Sequence, residues 1–266
     1  MKLLTFLMIF SFSFSINENE IFEELNGKIK ESKPENLTIF IAKQFLGNTY
    51  KAHTLEGKNQ EELIVNLREF DCNTFVESVL ALKLTFENKD NSFEKYKNNL
   101  QKIRYSNGQI SGYSSRFHYL SAWIKNLEYL KILNTNTNKK IGQKFQKEIN
   151  FMRYHWQLYP KINNIEQNKI INIEQELSKE DTYYIPKNEV EKHEKEINEG
   201  DIIAIKTNVK GLDFSHLGFA IKLNNRIHLL HASSKMGKVI ISQKPLNEYL
   251  NDYKSDEGIV VCRIME

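Results

Sequence analysis

Apolar and polar positions change their rhythm twice along the chain. From residue 17 to about 86 the period is helical: Phe22, Leu25 and Ile29 fall on one face, and Ile39 to Leu46 forms a second run closed by Gly47. Gly47 to Glu56 reads as a loop. A longer helix opens near Asp71 and carries Phe75, Val76, Val79, Leu80 and Leu84. From about 87 to 198 the chain is polar and rich in Asn and Lys. Phe93 to Ile103 and Tyr119 to Leu130 keep a helical period, Ile141 to Tyr159 mixes both periods, and Glu189 to Ile197 is charged and expected to face solvent. From 199 onward the pattern is that of strands. Ile202 to Ile205, Leu217 to Leu223, Arg226 to Ala232, Val239 to Ile241 and Ile259 to Ile264 are short apolar or alternating runs, and Asn224-Asn225 between two of them is a two-residue hairpin turn. Helices first and strands afterwards predict an α+β fold with a small antiparallel sheet.

The first fifteen residues stand apart. Lys2 precedes an apolar or hydroxyl run from Leu3 to Ser15, and Asn17-Glu18-Asn19-Glu20 then turns abruptly polar. This is the layout of a cleaved export signal over 1–15, leaving 17–266 as one domain and sending the protein to a periplasm or out of the cell. No later apolar run reaches spanning length, so no integral membrane segment is expected after signal removal. With 266 residues, 40% hydrophobic, the chain can bury a sizeable core. Lys and Arg number 37 against 34 Asp and Glu, and the charges are interspersed, which does not suit a nucleic-acid partner.

The chemistry starts from the two cysteines, Cys72 and Cys262. Two are too few for a disulfide framework. Cys262 is expected buried, reduced and inert in the last strand. Cys72 begins a helix directly after a loop, where the helix dipole and free N–H groups favour a thiolate nucleophile. The competing reading is a structural cysteine. A nucleophile needs a base, and the base an orienting group. Seven histidines are available. If Asn224-Asn225 is a two-residue turn, Leu223 pairs with Arg226 and residue 216 with 233. His216 and His231 then share a face, diagonally adjacent, while His228 points the other way. Gly218 and Ala220 lie on the His216 face, and their small size is expected to admit the helix bearing Cys72. Cys72 is thus the candidate nucleophile, His216 the base and His231 the orienter. The rival for the same three residues is a zinc site, although the close-paired ligand spacing of zinc motifs is missing. No metal or cofactor is expected.

These segments resemble the NlpC/P60 superfamily of papain-like cell-wall hydrolases. Asp71-Cys72, Ser215-His216-Leu217-Gly218 and His231-Ala232-Ser233 carry the likeness. Phe45 to Tyr50, Thr54-Leu55-Glu56, Asn66 to Glu77, Arg116-Phe117-His118-Tyr119 and Gly200 to Ile203 are similar to its N-acetylmuramoyl-L-alanine amidase-like branch, DUF1460. The resemblance implies a Cys-bearing helix packed on an antiparallel sheet, with a helical insertion over about 87–198. It also implies Tyr50 near an oxyanion, although Thr49 stands where Pro is usual. Arg116, His118 and Tyr119 are candidates for the substrate cleft, against the alternatives of an ion pair for Arg116 and core packing for Tyr119. Glu56, Glu77 and Asp213 are further polar candidates, each also readable as a surface or capping group. The implied activity is peptidoglycan or muropeptide hydrolysis, at the muramoyl–L-Ala amide or within the stem peptide. A cysteine acyltransferase or lipid hydrolase and a non-catalytic wall-binding protein are the alternatives.

Overall fold

The computed structural model describes residues 17–56, 60–159 and 162–265. The expected signal segment 1–15 lies outside them. The chain forms α1 (Glu18–Ser32), α2 (Leu37–Gln44), β1 (Thr49–Tyr50), β2 (Glu69–Phe70), α3 (Cys72–Phe86), α4 (Phe93–Arg104), α5 (Leu120–Tyr129), β3 (Leu133–Asn134) and α6 (Asn136–Ile141). It continues through β4 (Gln143–Phe145), α7 (Phe151–Tyr154), α8 (Asn164–Leu177), β5 (Thr182–Pro186), β6 (Ile202–Thr207), β7 (Phe214–Leu223), β8 (Arg226–Ser233), β9 (Lys238–Ile241), α9 (Leu246–Asn251) and β10 (Asp256–Ile264).

The fold is α+β, but the sheet is larger than the sequence predicts. Among the described residues it has ten strands, in the order β2-β1-β9-β8-β7-β6-β10-β5-β4, with β3 beside β10. It is also mixed, because β1 and β2 run parallel. Two corrections follow. The segment expected to be a loop holds β1, and the segment expected to be a helical insertion supplies β3, β4 and β5. Long-range ladders recruit these short stretches: Ile185 pairs with Ile259 in β10, and Thr49 with Lys238 in β9. Strands of two to five residues have too little period of their own to read.

Strand alternation divides the core. Leu217, Phe219 and Ile221 of β7 face one cluster with Leu230, Ala232, Phe70, Phe75 and Val79. Ala220 faces the other, with Ile203, Leu229, Leu246 and Leu250. Helix α3 is the central helix of the first cluster. Its residues from Thr74 to Lys83 are all buried, so it is enclosed around its whole girth rather than along one stripe, with Glu77, Ser78 and Lys83 among the apolar side chains. Phe75 meets Phe219 edge-on with centroids 5.8 Å apart, worth about 0.5–1.5 kcal/mol beyond the area buried. The hairpin is the one expected. Asn224 and Asn225 have φ of 50° and 62°, the left-handed pair that Asn tolerates in this turn, and Leu223 pairs with Arg226.

Candidate functional site

Asp71 caps α3. Its carboxylate accepts from the Thr74 backbone N–H at 2.8 Å, and the Thr74 hydroxyl accepts from the Asp71 N–H at 3.0 Å. This reciprocal pair fixes the entry of the chain and leaves Cys72 as the first helical residue. The Cys72 side chain is half-buried. Its thiol donates to Asn73 Oδ1 at 3.9 Å, and the backbone N–H groups of Leu217, Asn73 and Cys72 itself lie where they favour a negative charge on the sulfur. The Leu217 contact is the important one, because Leu217 is the strand residue next to His216.

The strands open at this point. The β7–β8 register runs from Leu223↔Arg226 to Phe219↔Leu230. Beyond it each strand pairs with its outer neighbour, β7 with β6 as far as Lys206↔Phe214 and β8 with β9 as far as Ser233↔Lys238. His216 and His231 stand in this opening, joined by a 2.6 Å hydrogen bond from one ring's Nε2 to the other's Nδ1 (His216 Nε2, His231 Nδ1), with the rings near perpendicular. The face assignment made from the hairpin is therefore correct for both histidines. His228, on the opposite face, is bonded through Nδ1 to the Ser242 carbonyl.

The purpose assigned to Gly218 was not. Helix α3 packs on the Leu217, Phe219 and Leu230 face, not on the Gly218 and Ala220 face. A Cβ at Gly218 would stand 2.7 Å from the Leu230 carbonyl and 2.8 Å from the His231 Cβ. The missing side chain makes room for His231, not for the helix.

The expected thiolate also needs correction. Burial, then the Asp71 charge, pushes the Cys72 thiol up to about 12, and the three N–H groups offset only part of that. Burial pushes His216 down to about 4 and His231 to about 3, the latter helped by His216. The resting pair is a neutral thiol beside a neutral imidazole, because ionising either group would put charge where little water reaches. Tyr50 is half-buried, and its phenol is raised by burial and by Cys72 and Asp71, which places it near the sulfur and keeps it protonated.

The other candidates have partners within the protein, and Arg116, His118 and Tyr119 also line a cavity of about 470 Å³. Arg116 is buried, donating to Glu61 at 2.8 Å and to Glu56 at 2.6 Å, with its guanidinium 4.9 Å from the Tyr113 ring centre. His118 stacks on Tyr113, and its Nε2 is bonded to the Tyr113 carbonyl. Tyr119 is buried and donates to Glu174 at 2.7 Å. Glu77 forms a buried ion pair with Arg104 at 2.7 Å. Asp213 accepts from the Ser121 and Phe214 N–H groups. Cys262 is buried in β10 and unbonded. Sequence reading missed Tyr249. Its ring lies edge-on to His231 at 5.3 Å, and the Cys72 sulfur is near enough to contribute to raising its phenol. The available signal was Leu246 and Leu250 at helical spacing after Pro245, a helix too short to stand out.

Among the described residues no group of three His, Cys, Asp or Glu side chains is arranged to hold a metal ion, and the bonded nitrogens of His216 and His231 are already spent on each other. No described helix is long and apolar enough to cross a membrane.

The model of the AmiA-like family, N-acetylmuramoyl-L-alanine amidase-like, matches residues 40–259. The chain belongs to this family. A crystal structure of an N-acetylmuramoyl-L-alanine amidase from Bacteroides uniformis is 39% identical, with a TM-score of 0.83 over 86% of this chain and 99% of that one. A Bacteroides fragilis protein described as a candidate xylanase is 40% identical, with a TM-score of 0.80 over 84% and 99%. Protein LPG0564 of Legionella pneumophila, assigned to DUF1460, shares the fold at 24% identity and a TM-score of 0.69 over 93% and 94%. No curated protein matches the sequence. The amidase-like family and the amidase-named neighbour support a hydrolase with a cell-wall substrate.

Proposed function

We propose that this amidase-like protein is a cysteine hydrolase of peptidoglycan, with Cys72 as nucleophile, His216 as base and His231 as the group that orients it. One observation carries the reading: the ring of His216 is fixed by a 2.6 Å hydrogen bond to His231, and the backbone N–H of the residue adjoining it, Leu217, lies near enough to the Cys72 sulfur at the start of α3 to favour its thiolate. A cysteine helix set against an antiparallel stretch of sheet supports a papain-like, NlpC/P60-type core. The bond cut is the muramoyl–L-Ala amide, in line with the family description and the Bacteroides uniformis neighbour. Cleavage within the stem peptide, between D-Glu and the diamino acid, uses the same chemistry. Such a substrate places the protein outside the cytoplasmic membrane, as the 1–15 segment leads one to expect.

With both partners neutral at rest, His216 acts as a general base rather than as half of an ion pair. As the sulfur attacks the lactyl carbonyl, its proton passes to the free Nδ1 of His216. The carbonyl oxygen becomes an oxyanion, and the Cys72 backbone N–H and the protonated Tyr50 hydroxyl are its candidate donors. The imidazolium returns the proton to the leaving nitrogen of L-Ala as the C–N bond breaks, which leaves a thioester. His216 then deprotonates a water that attacks the thioester, releasing the lactyl carboxylic acid and restoring the thiol. His231 Nδ1 accepts from His216 Nε2 throughout and so keeps the basic nitrogen toward the sulfur.

A glycosidase reading, prompted by the xylanase description, asks for two carboxylates flanking the scissile bond. Of the groups around Cys72, Asp71 is the carboxylate, and it is held as the helix cap. Digestion of purified peptidoglycan by wild type and Cys72→Ala, with products identified by mass spectrometry, tests the reading. New amino termini on L-Ala support the amidase, and termini on the third stem residue support the endopeptidase. No release by wild type, or equal release by the variant, overturns it.

A further inference from the structure

His231 has a second nitrogen that the chemistry above does not use. The residue is 1% exposed, and its Nε2 has no hydrogen-bond partner among the described residues. Because Nδ1 is bonded to His216, Nε2 points away from the His216 ring. On that side lies a cavity of about 310 Å³ whose wall includes His231, Lys235, Lys238, Met236, Tyr249 and Tyr253.

The charge around this cavity is unbalanced. Lys244 also lines it, but Asp252 holds that ammonium at 2.6 Å. Lys235 and Lys238 are exposed. Lys235 lies 6.0 Å from the Tyr253 ring centre, a weak contact that leaves its charge available. Met236, Ile240 and Ile241 give the cavity an apolar wall. A buried imidazole N–H, two lysines and an apolar wall suit an organic carboxylate better than a compact, strongly hydrated inorganic anion.

The nitrogen matters because the two rings share one proton. When His216 Nε2 donates to His231 Nδ1, His216 Nδ1 is free to act as base, and neutral His231 carries its proton on Nε2. When His231 Nδ1 donates instead, His216 carries its proton on Nδ1 and is no base for the thiol. A buried ring nitrogen without a partner is destabilising in either tautomer, so the partner decides between them: a group that accepts from Nε2 favours the productive arrangement. We infer that the cavity bounded by His231, Lys235, Lys238 and Tyr249 binds a carboxylate that accepts the His231 Nε2–H and holds the histidine pair in its basic tautomer. The Tyr249 ring lies edge-on to the His231 ring with centroids 5.3 Å apart, so a carboxylate reaching the buried Nε2 displaces that ring. A free carboxylate of the stem peptide and a small carboxylate from solution offer the same group; naming the stem peptide as a source rests on the proposed function.

The test is ¹⁵N NMR of the histidine side chains in the Cys72→Ala protein, in which no substrate is consumed. It is titrated at fixed ionic strength with sodium acetate, sodium phosphate, and L-alanyl-γ-D-glutamyl-L-lysine with its carboxylates free or amidated. Acetate or the free tripeptide is expected to shift the His231 Nε2 resonance saturably toward the protonated form, whereas phosphate and the amidated peptide leave it in place. Lys235→Gln combined with Lys238→Gln is expected to raise the half-saturating concentration about tenfold. Both lysines are exposed, so the fold should tolerate the change. Tyr249→Ala is expected to lower it. Saturation by the tripeptide at lower concentration than acetate identifies the substrate as the source, and saturation by acetate alone identifies a free anion. Absence of a saturable His231 shift, an equal shift from the amidated peptide, or an unchanged response in the lysine variant overturns the inference. A protein that releases nothing from peptidoglycan yet shows the acetate shift would lose the proposed activity and keep this site.

Discussion

Two buried polar groups in this protein settle their charge in opposite ways. Around Arg116 a permanent cation is matched by Glu56 and Glu61 and lies over Tyr113. Around His216 the groups are kept neutral by burial, the thiol pushed up and the imidazoles down. Matched charges in low dielectric give a rigid group whose cation is already neutralised. Neutral acid and base side by side can exchange a proton when a substrate arrives. Both groups look alike as sequence, conspicuous Arg, His and Cys residues in recognisable segments, and only their partners tell them apart.

The comparison can be broken by mutation, starting with activity. Cys72→Ala or His216→Ala should lower peptidoglycan release about 10³-fold or more and leave the unfolding midpoint within a few degrees of wild type. Arg116→Ala should do the reverse. It strands Glu56 and Glu61 in the interior, at a cost of about 3–5 kcal/mol, measurable by urea denaturation. If Arg116→Ala keeps full stability but loses activity, Arg116 acts in the substrate cleft.

The neutral resting state has its own signature. With the Cys72 thiol near 12 rather than the ordinary 9.0, fewer thiolates are present at any given pH below 9. The greater intrinsic nucleophilicity of a high-pKa thiolate offsets part of this. Iodoacetamide should therefore label Cys72 about 50-fold more slowly than an ordinary exposed cysteine, with the rate rising tenfold per pH unit up to pH 9. Hydrolysis should not follow that rise. It requires neutral His216, so kcat/KM should stay level above the His216 pKa of about 4 and fall as acid protonates that ring. A peptidoglycan-release rate that climbs in parallel with alkylation would overturn the general-base description.

The smallest effect tests Gly218. Gly218→Ala should cost about 1–3 kcal/mol, since the new methyl meets the Leu230 carbonyl, which cannot move freely. It should also lower activity by displacing His231. Ala220→Gly, on the same face and without that contact, should lose stability alone.

Much of the site was legible in the sequence because its geometry is local. A two-residue turn of two asparagines fixes the hairpin register, and the register fixes which histidines share a face. Asp71 followed by Thr74 fixes a helix start, and so the place of Cys72. What was left open or missed is long-range. The fate of Arg116 depended on residues 55 and 60 positions away, Tyr249 sits on a helix of six residues, and β1, β3, β4 and β5 exist only because distant strands offer them hydrogen bonds.

The sequence by itself therefore determined the central helix, the hairpin and the pairing of His216 with His231, because turn chemistry, capping and alternation act over a few residues. Tertiary structure alone decided that α3 lies on the face away from Gly218, that the thiol is neutral and that Arg116 is held by two carboxylates. Those outcomes depend on which groups are buried together, and burial and charge matching are properties of the whole packed chain rather than of any segment.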